Sequence, residues 1–375
     1  MTAVRHLYVH LPFCAHRCGY CDFVTVVGDG GRHGAYVDAL LQELELERAL
    51  LAPRLETVFL GGGTPTLTQA GALRRLLGAL PSAAELTVEA NPETVTPELA
   101  LLLRESGVTR VSLGAQSFRP HLLQVLERRA APDDVRRAFY NLRDACFDNI
   151  SIDLLHGIPG QSAADLELDI GEALALAPEH ISYYELEAKP GTRFTHAHGA
   201  ELAQQAEAME DYFEIVIERL TAAGYRWYET ANFCVAPVRA GGRDLRARHN
   251  LAYWLGRDYL GLGIGAVSTF GPERRRNTPR LNGYIAALGR GERPQRELEA
   301  LAPGVRALER VMLGLRLDEG LPLAAAEGSL DRAALGRLER LGLAARRPGR
   351  DGPEALLLTP RGRRLGGAVT AELLA

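Results

Sequence analysis

The chain has 375 residues, 46% of them hydrophobic and 24% charged, enough apolar material for one barrel-sized domain and a smaller module. A formal net charge of −4, with 43 basic against 47 acidic residues, lacks the basic excess of a nucleic-acid binder. Five cysteines are too few, and odd in number, for a disulfide framework; MTAVRHLYVHLPFC has no secretory pattern, and no run of about 18 apolar residues offers a membrane span. The expectation is a cytoplasmic protein with reduced thiols, no nucleic-acid partner and no integral membrane segment.

In chain order, LYVHLP (7–12) reads as a first strand, followed at once by CAHRCGYC (14–21), which holds three of the five cysteines. Leucines at 40, 41, 44 and 46 predict a helix over Ala35–Leu51. Strand-like runs recur at TVFLGGG (57–63), LTVEANP (86–92), RVSLGAQSF (110–118), ISIDLLHG (150–157) and HISYYELE (180–187). Helical patterns separate them at Ala70–Leu80, Pro97–Ser106, Asp133–Ala145 and Ala163–Leu176. Six strands alternating with helices predict an α/β fold with a parallel sheet, a partial (β/α)6 TIM-like barrel over about residues 5–190. Gly61–Gly63, Glu89, Gln116 and Asp153 close several of these strands. Active-site groups of parallel barrels collect at that rim, where the cysteine loop also lies.

A long helix over about Ala203–Gly224 and a YRWYETANF strand (225–233) complete a core domain of residues 1–235. Residues 236–300 form a connecting region. It contains an Arg/Gly-rich loop (Arg239–Arg248), HNLAYW (249–254), and YLGLGIGAVSTF (259–270), whose glycines suit close backbone approach. Residues 301–375 read helix, helix, short strands, helix, the outline of a small C-terminal winged-helix-like domain. Such a shape can bind DNA, but this one is not conspicuously basic.

Three thiols spaced three and two residues apart ask for a metal. A structural zinc site closes with four ligands, and Cys146 and Cys234 lie in apolar-patterned segments without a partner nearby. Zinc would therefore draw on His10 or His16, giving a zinc-stabilised structural or DNA-binding protein. Three thiolates also suit a 4Fe-4S cluster that keeps one iron open for an outside ligand. Beside a barrel rim, an open iron is a reaction site.

CAHRCGYC fits the CxxxCxxC signature of radical S-adenosyl-L-methionine (radical SAM) proteins. Along its whole length the chain resembles the oxygen-independent coproporphyrinogen III oxidase-like branch of that superfamily, and most of all the HemW-type heme chaperones. The resemblance rests on YVHLPFC…CGYCDF, FLGGGTPT, EANPET, SLGAQSF, IDLLHGIPGQ, PGTRF, YETANF and HNLAYW, in that order. It implies that Cys14, Cys18 and Cys21 each bind one iron while the amino and carboxylate groups of S-adenosyl-L-methionine chelate the fourth. It also implies reductive cleavage of the sulfonium to a deoxyadenosyl radical. Gly62, Gly63 and Thr64 match the glycine-rich strand end beside the methionine moiety. Glu89, Gln116, Arg128 and Asp153 match positions that hold the amino, carboxylate and ribose groups; Tyr8 matches a tyrosine touching cofactor, and Tyr20 a ring near the adenine. Read from the residues alone, the glycine run is equally a tight turn and a strand-end Asp equally a helix cap.

The oxidases of this branch carry a fourth cysteine two residues after the third, where this chain has Phe23. HemW-type proteins lack it too, and HNLAYW is similar to their segment in which a histidine is implicated in holding heme. The resemblance thus implies heme binding and delivery to acceptor proteins such as cytochromes, with an electron donor, and no oxidase activity. His249 is the candidate axial ligand, against a locally bonded histidine as the alternative; His10 and His16 are weaker candidates. The second functional alternative is a radical enzyme of the same branch, an oxidase or a methylase or other tailoring enzyme. Two departures weigh on heme ligation. Relatives often have Leu-Gly-Arg-x-His where this chain has Leu126–Ala130, and Gly-Ala-His-Ser where it has Gly265–Ser268.

Overall fold

The computed structural model describes residues 3–28, 30–187, 189, 193–348 and 354–374. Six strands, β1 (His6–Leu11), β2 (Leu55–Gly62), β3 (Ala83–Ala90), β4 (Arg110–Gln116), β5 (Ile150–His156) and β6 (His180–Glu185), alternate with helices. The helices are α1 (His33–Glu47), α2 (Ala70–Ala79), α3 (Pro97–Glu105), a short turn of helix at Pro120–Val125, α4 (Pro132–Asp144) and α5 (Ala163–Leu176). The six pair in parallel with one another, as the alternation predicts. The fold is the expected α/β type, an open barrel built on a mostly parallel sheet.

The sheet is wider than the sequence suggested. Beyond the core strands, β7 (Tyr225–Trp227), β8 (Asn232–Val235) and β9 (Leu260–Leu262) extend it to nine strands in the order β9-β1-β2-β3-β4-β5-β6-β8-β7. β9, from the glycine-rich YLGLGIG run, pairs in parallel with β1 through Leu7↔Leu260 and Val9↔Leu262. The single strand expected over 225–233 is instead a tight antiparallel hairpin. The Glu229 carboxylate accepts from the backbone of Ala231 and the amide of Asn232 and so fixes the turn. The single helix expected over Ala203–Gly224 is broken: one helix ends at Gln205, a 3-10 turn covers Ala206–Ala208, and the next helix begins at Met209. In the PGTRF block, Pro190–Thr192 lie outside the described residues.

The two faces of the sheet divide the labour. Leu7, Val9, Val58, Leu60, Val111 and Ile152 point outward and are fully buried against the helices. At about 1.5–3 kcal/mol per buried aliphatic side chain, this layer drives the fold. The alternate residues point into the lumen and are polar: His6, Thr57, Glu85, Arg110, Ser151 and His180 are all buried. Wholly buried parallel strands read as continuous apolar runs; these alternate because their inner face lines a polar lumen.

Residues from Pro303 onward carry their own core, including Val311, Leu338, Leu356 and Leu373, under a three-stranded antiparallel sheet of Leu321–Pro322, Ala344–Pro348 and Glu354–Leu358. This unit is pinned to the barrel edge. Arg226 forks onto Asp318 at 2.7 and 2.9 Å, and Arg363 stacks on Trp227 with its guanidinium 3.5 Å from the ring centre. No helix among the described residues is long and apolar enough to cross a membrane.

Candidate cofactor site at the barrel rim

The cysteine loop leaves β1 at the C-terminal rim, and backbone bonds from the glycine turn stitch it there. Gly63 N donates to Leu11 O at 2.8 Å and Thr64 N to Phe13 O at 2.9 Å. This explains the glycines before any ligand is invoked. A Cβ on Gly63 would lie 2.5 Å from the carbonyl of Pro12, and one on Gly62, whose φ is +113°, would strike the His10 ring at 2.5 Å. His10 itself ties down the far side of the loop. Its Nε2 shares a hydrogen bond with Val24 O at 2.8 Å and its Nδ1 one with the Tyr8 hydroxyl at 3.0 Å.

Cys14, Cys18 and Cys21 are free and half-buried on this loop, whereas Cys146 is exposed and Cys234 buried elsewhere. Each of the first two receives a hydrogen bond: Thr64 Oγ1 to Cys14 Sγ at 3.6 Å, and Arg128 Nη1 to Cys18 Sγ at 3.8 Å. Burial raises the thiols of Cys14 and Cys21, and each also feels the Cys18 thiol as a like charge, so the three sit in one patch. Among the described residues no three His, Cys, Asp or Glu groups converge to hold one metal ion, which gives mononuclear zinc no ready site. A cubane needs no such convergence, because each thiolate binds a different iron. His16 lies at 3.7 Å from Glu127, partly exposed, and completes no ligand set.

Around the loop stand the other rim residues. Glu89 accepts from Gly62 N at 3.1 Å. Burial pushes its carboxyl up to about 7, and the Asp153 charge adds to the rise. Asp153 is held by Ser112 Oγ at 2.8 Å and Ser151 Oγ at 3.0 Å. Gln116 sits at a β-bulge with φ of +66°, a strained conformation for a non-glycine residue. Its amide, with Arg128, crowds the space a Cβ on Gly114 would take. Tyr8 stacks on Phe59 with ring centres 6.2 Å apart, and Tyr20 meets Phe194 edge-on at 6.4 Å. These groups offer what an amino acid joined to a ribose requires. Glu89 is a desolvated carboxylate that among the described residues forms no ion pair, and Arg128, whose Nε is buried without a partner, is a cation for a carboxylate.

His249 is placed elsewhere. HNLAYW forms a short helix (Arg248–Trp254) that plugs the opposite, N-terminal end of the barrel. His249 is 1% exposed, shares hydrogen bonds with Thr57 Oγ1 at 2.7 Å and Tyr253 OH at 2.9 Å, and stacks on Phe59 at 5.1 Å. Burial drives its pKa down to about 3, so it is neutral with both ring nitrogens engaged. The structure does not bring it together with the cysteines. The sequence reading missed Asn91 altogether. It follows Glu89 in the EANPET block and bridges Arg128 (3.2 Å) to Thr64 (3.1 Å), and its place beside a rim carboxylate was the available signal.

Comparison with known proteins gives the family. The Radical SAM superfamily signature matches residues 8–172. The chain is 37% identical to the heme chaperone HemW of Mycobacterium tuberculosis over 98% of its own length and 94% of that protein's. With the heme chaperone HemW of Bacillus subtilis it shares 35% identity over 85% of each chain, and with that of Escherichia coli 36% over 84% and 83%. In fold it is similar to the coproporphyrinogen III oxidase HemN of Escherichia coli, with a TM-score of 0.80 at 22% identity, covering 100% of this chain and 91% of that one. Radical SAM superfamily in its barrel and similar end to end to these curated relatives, the chain belongs to the heme chaperone HemW family.

Proposed function

We propose that the chain is a cytoplasmic heme chaperone whose rim holds a 4Fe-4S cluster on Cys14, Cys18 and Cys21 together with S-adenosyl-L-methionine. It would deliver heme to acceptor proteins such as cytochromes. Glu89 takes the amino group of S-adenosyl-L-methionine, Arg128 and Gln116 its carboxylate side, and Asp153 the ribose hydroxyls. Gly62, Gly63 and Thr64 offer backbone to its methionine moiety, and Tyr8 and Tyr20 wall the site. When bound, the cluster and S-adenosyl-L-methionine would supply one-electron chemistry, for which an electron donor is required.

The observation that carries the heme part is a cavity of about 330 Å³ on the outer side of the HNLAYW helix. Tyr253, Trp254 and Tyr259 form aromatic walls, and Arg257 and Arg310 stand around them, while Arg274 is already forked onto Glu309 of the same wall at 2.8 Å. Flat aromatic walls with guanidinium groups suit a planar macrocycle bearing carboxylates. The volume is at the small end for ligand sites, so heme would enter edge-first and keep a face open for transfer. Tyr253 lines this cavity and shares its hydroxyl with His249 Nε2, so His249 ligates iron only if Tyr253 turns away. Phe23, exposed on the cluster loop where the oxidases of the branch carry a cysteine, supports a chaperone over an oxidase.

The test is anaerobic reconstitution followed by parallel heme titration and coproporphyrinogen III assays. Heme binding without porphyrinogen consumption is expected, weakened by Arg257→Glu with Arg310→Glu and altered in its absorption spectrum by His249→Ala. Multiple-turnover decarboxylation of coproporphyrinogen would overturn the assignment. An unchanged spectrum in His249→Ala would return that histidine to a purely structural part.

A further inference from the structure

The hydrogen-bond donors of the rim form a directed chain that neither the cysteine motif nor the relatives' names describe. Arg128 donates from Nη1 to Cys18 Sγ (3.8 Å) and from Nη2 to Gly114 O (2.8 Å) and Asn91 Oδ1 (3.2 Å). A guanidinium has no acceptor, so the Asn91 atom facing it must be the amide oxygen. That settles the orientation of the Asn91 amide, and its NH2 group must then donate to Thr64 Oγ1, at 3.1 Å. With one lone pair taken, the Thr64 hydroxyl turns its own hydrogen toward Cys14 Sγ, at 3.6 Å. The polarity is the same at every step, from Arg128 through Asn91 and Thr64 to Cys14, while Arg128 reaches Cys18 directly.

Asn91 is locked in place from behind. Its backbone carbonyl accepts from Thr94 N at 3.0 Å and Thr94 Oγ1 at 2.7 Å, and Thr94 Oγ1 in turn meets Thr66 Oγ1 at 2.6 Å. With its backbone fixed in this way and its side-chain amide held at both ends, by Arg128 at Oδ1 and Thr64 at Nδ2, the donor keeps one direction, which a free side chain would lose to solvent.

We propose that Asn91 is a positioning residue for the iron–sulfur cluster: it aims the Thr64 hydroxyl at Cys14 and holds Arg128 against Cys18, so that two of the three thiolates receive hydrogen bonds from one continuous network. The inference rests on the reading that these cysteines hold the cluster. Hydrogen bonds to cluster sulfurs stabilise the reduced, more negative state and raise its potential. Asn91→Ala removes the donor to Thr64 and the acceptor for Arg128. Asn91→Asp keeps the acceptor but leaves Thr64 facing a carboxylate, toward which its hydroxyl turns, away from Cys14.

The experiment uses full-length chain reconstituted anaerobically with iron and sulfide. It measures metal content, the cluster's reduction potential by redox titration followed by electron paramagnetic resonance, and thermal unfolding of the cluster-free chain. Asn91→Ala and Asn91→Asp should each make reduction about tenfold less favourable, about 59 mV more negative for a one-electron couple. Thr64→Val should shift it in the same direction, and the Asn91→Ala/Thr64→Val double variant no further than the larger single, since the two act in series. Cluster-free Asn91→Ala should unfold as the parent does. A parental potential in Asn91→Ala overturns the proposal. Should that variant hold no cluster, a parental potential in Thr64→Val overturns it equally, because Thr64 is the last donor in the chain. A parent chain that takes up no iron or sulfide fails the cluster reading itself and takes this proposal with it.

Discussion

The rim and the floor of the barrel are built from the same kinds of residue and finished in opposite ways. At the floor most polar groups pair with one another, although the Nε of Arg110 is buried without a partner there as well. Thr57 bridges His6 (2.9 Å) and His249 (2.7 Å), His249 reaches Tyr253, and the Glu85 carboxylate accepts from the backbone N–H of Arg248 and His249 at 3.3 Å each. At the rim, bonds are left over. The Nε of Arg128 is buried and unpaired, and Glu89 accepts from Gly62 N and feels the Arg110 charge, but among the described residues it forms no ion pair. A closed polar network fixes a shape, whereas an open one of equal burial is costly until a ligand completes it. At the rim it is a carboxylate and a guanidinium, Glu89 and Arg128, that are left open, which makes the rim the candidate cofactor site.

The largest effect that can break the comparison is loss of the metal. Parent protein purified without oxygen should contain about four iron and four sulfide per chain. Replacing Cys14, Cys18 or Cys21 by Ala should abolish both, while Cys146→Ala and Cys234→Ala should leave them intact, by colorimetric iron and sulfide analysis. Stoichiometric zinc without sulfide would sink the radical SAM reading of the rim.

Removing a member of each network should then separate stability from binding. His249→Ala takes one of the two partners of Thr57, leaves the Tyr253 hydroxyl without its histidine and opens a cavity beside Phe59, and should cost roughly 2–4 kcal/mol in urea unfolding of the cluster-free chain. Glu89→Gln should cost little or nothing, since it removes a desolvated charge, yet should weaken S-adenosyl-L-methionine binding at least about tenfold, the scale of one lost charge-assisted bond. Equal destabilisation by both would erase the distinction.

Which half of this was legible in the sequence follows from the range of the interactions. The cluster loop is a local pattern, three thiols within eight residues, and the rim residues announce themselves as polar groups ending apolar runs. The six core strands were legible because each βα unit repeats the same switch of period. The floor was not legible. His249 meets Thr57 across 192 positions, and Leu7 pairs with Leu260 across 253, so neither leaves a mark in a local window. β9 is three residues long and rich in glycine. It is a strand because β1 offers it an edge and because Gly261 and Gly263 let it approach Val267 and His10. The GLGIG glycines were rightly read as sites of close approach, but the partner is the protein itself. Asn91 was missed because a single amide carries no periodicity.

The next test sharpens the rim alone. The Glu89 carboxyl is pushed up to about 7 in the ligand-free protein, and an ammonium group binds only its ionised form. Below pH 7 binding must therefore release a proton, and the affinity for S-adenosyl-L-methionine should fall about tenfold per pH unit, levelling off above pH 7. Glu89→Gln should flatten this dependence. Calorimetric titration in buffers of different ionisation enthalpy would show proton release at pH 6 in the parent and none in the variant. A pH-independent parent affinity between 5.5 and 7.5 would remove Glu89 as the anchor.

The smallest effect is the one in which rim and floor pull against each other. Glu89 is held near 7 in the folded chain against an ordinary 4.5, so between those values the folded state keeps a proton the unfolded state has released, and raising the pH costs stability. His249 is held near 3 against an ordinary 6.5, so between those values the unfolded state takes a proton the folded state refuses, and lowering the pH costs stability. From pH 4.5 to 6.5 both contributions are active and nearly cancel, each worth at most about 1.4 kcal/mol per pH unit. Deleting one should unmask the other. Glu89→Gln should make the cluster-free chain gain stability more steeply with rising pH across this window, whereas His249→Gln, which keeps a polar group against Tyr253, should tilt the dependence the other way. Urea midpoints at pH 5, 5.75 and 6.5 would read the two slopes. Slopes that move in the same direction in both variants would mean that the two ends do not titrate as the open and closed networks require.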